Sequence, residues 1–125
     1  MTTRELGRVG EDAVCAYLTE RGWRVLVRNF TIRGGELDII AENGEYLAFV
    51  EVKARKYGSM VSGVQAVTHR KQGLLIRTAA AYLYAHPTTL QPRFDIAEVV
   101  LQRGIPVQVD YFENAFDTTG FDVIF

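Results

Sequence analysis

Apolar side chains recur at three- and four-residue intervals near the start of the chain, at Leu6, Val9, Gly10, Ala13, Val14, Tyr17 and Leu18. That spacing lays one apolar stripe along a helix and predicts one from about residue 3 to residue 21. Thr2 with Glu5 resembles a capping box, and Gly22 supplies a stop. Trp23 to Phe30 is a short β-prone run, and the runs Glu36 to Ala41 and Tyr46 to Arg55 flank Asn43-Gly44, the strongest short hairpin signal. Helical spacing returns from Ser62 to Ala85, through Val64, Val67, Lys71, Leu74, Leu75, Thr78 and Tyr82, until Pro87 stops it. Beyond Pro92, Phe94 to Leu101 and Ile105 to Phe112 read as two strands joined through Arg103-Gly104, with an irregular apolar tail after them. The order helix, three strands, helix, two strands permits an α/β fold with a central mixed sheet flanked by the two helices.

The hairpin carries the candidate chemistry. A two-residue Asn43-Gly44 loop pairs Glu42 with Glu45, and counting outward sets Asp38 opposite Phe49 and Glu36 opposite Glu51. Asp38 and Glu51 become diagonal neighbours with Cβ atoms roughly 7 Å apart, a span two carboxylates close around one divalent ion bound at about 2.1 Å per oxygen. Lys53, two positions past Glu51, points to the same face. Opposed like charges weaken a strand pair and buried carboxylates are costly. Ile39, Ile40, Phe49, Val50 and Val52 nevertheless make these strands apolar on both sides. A cation resolves the conflict, and the set fits phosphodiester hydrolysis: Asp38 and Glu51 hold the metal while Lys53 orients water or stabilises developing charge.

Other positions carry two readings each. Glu11 borders the apolar stripe beside Val14 and Leu18 and can reach over the sheet edge, or it belongs to a solvated face with Arg4 and Arg8. Glu36 is a second ligand or the hairpin's exposed end. Gly34-Gly35 leaves room for a nucleic-acid backbone. Arg55, Lys56 and Tyr57 track a strand or form an ordinary loop, and Arg70-Lys71 contact phosphates or merely face solvent. Cys15 reads as packing, His69 as a surface residue, and Tyr82 with Tyr84 as cover for the core.

Composition narrows the classes. With 125 residues, 48% hydrophobic and 23% charged, the chain reads as one domain over 1–125. No run of about 18 apolar residues occurs, so neither export nor a membrane span is indicated and the cytoplasm is expected. A lone Cys15 with His69 and His86 rules out an internal disulfide and the common Cys- and His-based metal motifs. Any metal is therefore held by carboxylates, which favours magnesium or manganese. The net charge of -1 counts mildly against nucleic-acid binding, yet twelve of the fourteen Lys and Arg fall within residues 1–77, so a basic face is available.

These residues also match a family pattern. Gly10-Glu11, Gly34-Gly35-Glu36-Leu37-Asp38-Ile39-Ile40 and Phe49-Val50-Glu51-Val52-Lys53-Ala54-Arg55 resemble the YraN-like proteins of bacteria, predicted endonucleases. The resemblance extends through Gln65-Ala66-Val67, Arg70-Lys71-Gln72, Arg93-Phe94-Asp95 and Asn114-Ala115-Phe116. That family looks like the PD-(D/E)xK, or restriction-endonuclease-like, superfamily and within it the archaeal Holliday-junction resolvases. The resemblance implies Glu11, Asp38 and Glu51 as metal-site carboxylates, Lys53 as the catalytic lysine, magnesium-dependent cleavage of branched DNA, and a homodimer. Leu37 stands where the superfamily often has proline, Gln65 where the family often has Glu, and the chain is less basic than resolvases. Two rival readings follow: a nucleic-acid-binding module without turnover, and a protein-interaction domain docking through Phe112, Phe116, Phe121 and Phe125.

Overall fold

The structure, a computed structural model, describes residues 1–59, 67–123 and 125. Helix α1 spans Thr3–Glu20, where the stripe predicted it, and the Thr2 hydroxyl caps it by accepting the Glu5 amide at 3.1 Å. Strands β1 (Arg24–Ile32), β2 (Gly35–Glu42) and β3 (Tyr46–Lys56) follow, then helix α2 (His69–Ala85), β4 (Gln91–Gln102) and β5 (Ile105–Phe116). The helix expected from Ser62 begins instead after Thr68, whose hydroxyl accepts the Lys71 amide at 3.2 Å. Residues 60–66, Gln65 among them, lie outside the described residues.

The five strands stand in the order β1-β2-β3-β4-β5. Only β3 and β4 run parallel, because α2 makes the crossover between them; every other pair is antiparallel. This is the α/β fold with a mixed sheet between two helices that the element order allows. Each face of the sheet carries its own core. Val14 and Leu18 of α1 pack on Ile39, Ala41, Ala48, Val50, Ala97 and Val99, while Leu75, Ile76, Ala79 and Tyr82 of α2 pack on Leu37, Ile40, Phe49, Phe94 and Ile96. The strands β2, β3 and β4 are thus apolar on both sides, as strands between two helical layers must be. Cys15 packs at the rim of the α1 core, where burial pushes its thiol up.

Two expectations need correction. The hairpin register is shifted by two: Ile40 lies opposite Phe49 and Ala41 opposite Ala48, with Asn43 donating to the Tyr46 carbonyl at 3.2 Å. Gly44-Glu45, not Asn43-Gly44, are the central turn residues. The reason is local: the Asn43 carboxamide accepts from both the Glu45 and Tyr46 amides, so Asn43 opens the turn, and Gly44 takes the positive φ of 90° at its first central position. Second, Tyr82 is buried against Phe30 and Phe49, but Tyr84 is 90% exposed and covers nothing. The apolar tail is partly packed: Phe116 stacks on Phe94 at 5.0 Å, Phe121 on His69 at 4.4 Å and Phe125 tilts over Phe94, while Phe112 and Phe125 remain exposed.

Candidate active site

The β2–β3 ladder ends at Ile39 and Val50. Beyond that pair β2 continues against β1 as far as Gly35, while β3 continues against β4 as far as Lys56, so the sheet splits between them. Splitting leaves the Val52 amide without a strand partner, and Asp38 Oδ2 accepts it at 2.8 Å. Side-chain alternation also breaks here: Leu37 and Ile40 both join the α2 core and Ile39 joins the α1 core. On β1, between the partners of Ile39 and Leu37, Asn29 adopts a positive φ of 55°. Asp38 therefore sits at the mouth of the split.

Glu51 is the next residue of β3 past the last paired position, and it is only 5% exposed. Its carboxylate meets that of Asp38. Burial first, then the hydrogen bond and charge of Glu51, push the Asp38 carboxyl up to about 8, outweighing the Val52 amide and Lys71, which act the other way. Asp38 thus keeps its proton near neutral pH. Glu51 Oε2 is buried and, among the described residues, receives no hydrogen bond. The nearest cation is Lys71 Nζ of α2, an ion pair at 3.4 Å without hydrogen-bond geometry. Lys53 alternates to the side of Glu51 and is half-buried.

Glu11 approaches from α1, where the buried Gly10 rests on Val52, Ala54 and Val99. Burial and the charge of Asp38 raise its carboxyl, so the two sites feel each other. Its own partner is Arg28 of β1, 3.5 Å away, and the same guanidinium holds Asp12 at 2.8 Å. Among the described residues no three Asp, Glu, His or Cys side chains converge as a ready metal cage. What converges is a pair, Asp38 with Glu51, and Glu11 stands beside it. An orphaned buried carboxylate oxygen next to a second carboxylate is a donor set of the kind a hard divalent cation takes.

The remaining candidates fall elsewhere. Glu36 does not oppose Glu51; it pairs with Thr31 of β1 and is exposed, a consequence of the shifted register. Gly34 is open, with a φ of 83°, but Gly35 is taken by packing: a Cβ there would lie 2.1 Å from Thr78 Oγ1 of α2. Arg55 is bound to the buried Glu98 and to the Ser59 carbonyl, which makes it a tie between β3, β4 and the following turn. Lys56 and Arg70 are exposed. Arg28 and the place of Lys71 against Glu51 were not legible as site features. The sequence offered Lys71 only as a phosphate contact or a solvent-facing cation, because the helix was expected from Ser62; its place in the first turn emerges only with the start of α2 after Thr68.

Comparison with known proteins adds three findings. Residues 10–99 match the model of the uncharacterised protein family UPF0102. A UPF0102 protein of Myxococcus xanthus is 40% identical over 91% of this chain and 90% of its own, and one of Syntrophotalea carbinolica is 42% identical over 93% of this chain and 94% of its own. Among solved structures, the Archaeoglobus fulgidus Hjc, a Holliday junction resolvase, is similar at a TM-score of 0.47 and 15% identity, covering 88% of this chain and 78% of its own.

Proposed function

Because the chain belongs to the uncharacterised protein family UPF0102, which assigns no activity, we propose from the site itself that it is a metal-dependent nuclease hydrolysing phosphodiester bonds in DNA. The carrying observation is the contact of half-buried Asp38 with buried Glu51 at the strand split, with an oxygen of Glu51 that no donor among the described residues satisfies. A protein rarely keeps two buried carboxylates in contact for stability, since the second charge is costly without a compensating cation.

In this reading Asp38 and Glu51 hold a magnesium or manganese ion, with Glu11 completing the set from α1. Such an ion supplies Lewis-acid polarisation of a phosphoryl oxygen and a lowered pKa of water. Asp38 gives up its proton as the site loads, so loading is favoured by rising pH. Lys53 brings an ammonium to the same side as Glu51, where it balances charge developing on the phosphate and orients the attacking water. Lys71, paired here with Glu51, would be available to a neighbouring phosphate once a cation answers that carboxylate. Arg28 keeps Glu11 and Asp12 from adding to the local negative charge. The likeness of the sequence motifs to Holliday-junction resolvases makes branched DNA, in repair or recombination, the first substrate to try, and a homodimer would place two sites on a two-fold symmetric junction.

The test offers labelled four-way junction, flap, duplex and single-stranded DNA to the wild type, Glu51→Gln and Lys53→Ala in magnesium and in manganese. Cleavage by the wild type that falls by about 100-fold or more in both variants is expected for groups acting in the transition state. A wild type that binds these substrates and leaves them intact in every condition sinks the catalytic reading and favours a binding module.

A further inference from the structure

On the α1 side of the sheet lies a groove of about 770 Å³, where Arg4, Gly7 and Arg8 of α1 and Arg28 and Asn29 of β1 face the carboxylates of Glu11, Asp12 and Glu36. Asn29 of β1 lies across from Asp38, between the partners of Ile39 and Leu37, and Gly10 beside Glu11 rests on Val52, whose amide Asp38 accepts, so the groove runs beside the carboxylate pair. The acidic residues within it are largely answered: Arg28 holds both Glu11 and Asp12. Arg4 and Arg8 are different. Both are exposed, and neither makes an ion pair or hydrogen bond with any described residue.

Their placement is a poor choice for the helix alone. They stand four residues apart, about 6 Å along the axis on one face, where like charges repel. Arg4 also lies in the first turn, the end of the helix dipole that favours anions over cations. Gly7 between them has nothing within 4 Å of the position a Cβ would take, so the wall of the groove is bare backbone there. Two unanswered guanidiniums beside an open wall suit a rod of regularly spaced anions.

We propose that this groove is the channel for a DNA strand, with Arg4 and Arg8 gripping backbone phosphates on the α1 side of the carboxylate pair. The channel gives the strand a direction: it passes α1, crosses Glu11 and reaches the split between β2 and β3. Arg28 answers Glu11 and Asp12 there, so that their charge does not repel the strand. The placement of the scissile bond rests on the nuclease reading; the grip itself does not require turnover.

The experiment measures binding of a fluorescent duplex and of a four-way junction in EDTA between 50 mM and 200 mM salt. It compares the wild type, Arg4→Gln/Arg8→Gln, and the control Arg21→Gln/Arg24→Gln. The control removes the same charge from the far end of α1 and the start of β1. The groove variant is expected to lower the slope of log affinity against log salt by about 1.8, two phosphate contacts at about 0.9 each, while the control changes it by less than half as much. Thermal melting by circular dichroism checks that both variants stay folded. Equal losses in the two double variants, an unchanged slope in the groove variant, or no DNA binding by the wild type each overturns the channel. Cleavage assayed on the same preparations separates the two ideas: turnover with an unchanged slope fails the channel alone, and an arginine-dependent slope without turnover fails the nuclease alone.

Discussion

Asp38 is held in a condition that a lone carboxylate avoids, and its titration should be visible in the stability of the metal-free protein. Its folded value of about 8 lies above the ordinary carboxylate value of 3.8, because burial and Glu51 favour the protonated form. Between those values the folded state binds a proton that the unfolded chain has released. Stability therefore falls as pH rises through this window, and the penalty is complete above about pH 8. The expected result is a melting temperature in EDTA that declines from pH 5 to pH 8.5, a decline that Asp38→Asn flattens. Adding magnesium at pH 8.5 should raise the wild-type melting temperature and leave that of the variant nearly unchanged. A flat wild-type profile would mean that Asp38 does not hold its proton into this range.

At the scale of elements, the site depends on how closely α2 lies on β2. Gly35 and Thr78 meet so tightly that no side chain fits between them, with 2.1 Å from an added Cβ to Thr78 Oγ1. The Thr78 hydroxyl is also donated back to the Leu74 carbonyl at 2.8 Å, which fixes its direction toward β2. Gly35→Ala should cost about 1–3 kcal/mol in urea unfolding through overpacking, and Gly35→Ala/Thr78→Ala should recover most of it. If the single variant is neutral, α2 does not seat on β2 as described. The glycine pair illustrates how one sequence feature separates into two roles: Gly34 turns the chain with a positive φ, and Gly35 admits a helix. The sequence marked both as bare backbone and could not say what approaches it, since the approaching atom belongs to a residue more than forty positions away.

Across the whole molecule two buried acidic groups can be compared, and the contrast separates architecture from chemistry. Asp95, fully buried in β4, receives four donors: Arg93 Nε and Nη2 at 2.9 Å each, the Tyr111 hydroxyl at 2.6 Å and the Asn114 amide at 2.9 Å. Arg93 in turn lies over the rings of Tyr46 and Trp23. That network ties β5 to β4, with Asp95 in register with Val50 where the β2–β3 ladder ends, and every lone pair it offers is used. Glu51 Oε2 receives none. Removing one side of the satisfied network by Asp95→Ala should therefore cost about 3–5 kcal/mol in chemical denaturation. Metal affinity, read by calorimetry, should stay close to that of the wild type. A loss of metal binding without a loss of stability would reverse the assignment of the two clusters.

What the sequence determined by itself was periodicity. The 3.6-residue stripe from Leu6 to Leu18 and the β-prone runs around Asn43-Gly44 set the elements and their order, because amphipathic spacing follows from backbone geometry alone. The side of the sheet occupied by Glu51 and Lys53 was legible too. The register was wrong by two residues, yet strand side chains alternate with a period of two, so a slip of two leaves the β3 side chains Glu51 and Lys53 on the face expected of them. Tertiary structure decided the rest. The split that turns a diagonal pair of carboxylates into a touching one arises because β2 follows β1 while β3 follows β4. The cation at Glu51 comes from α2, and the restraint on Glu11 comes from β1. Those are contacts between elements distant in the chain, set by packing on both faces of the sheet, and local patterns of polarity do not encode them.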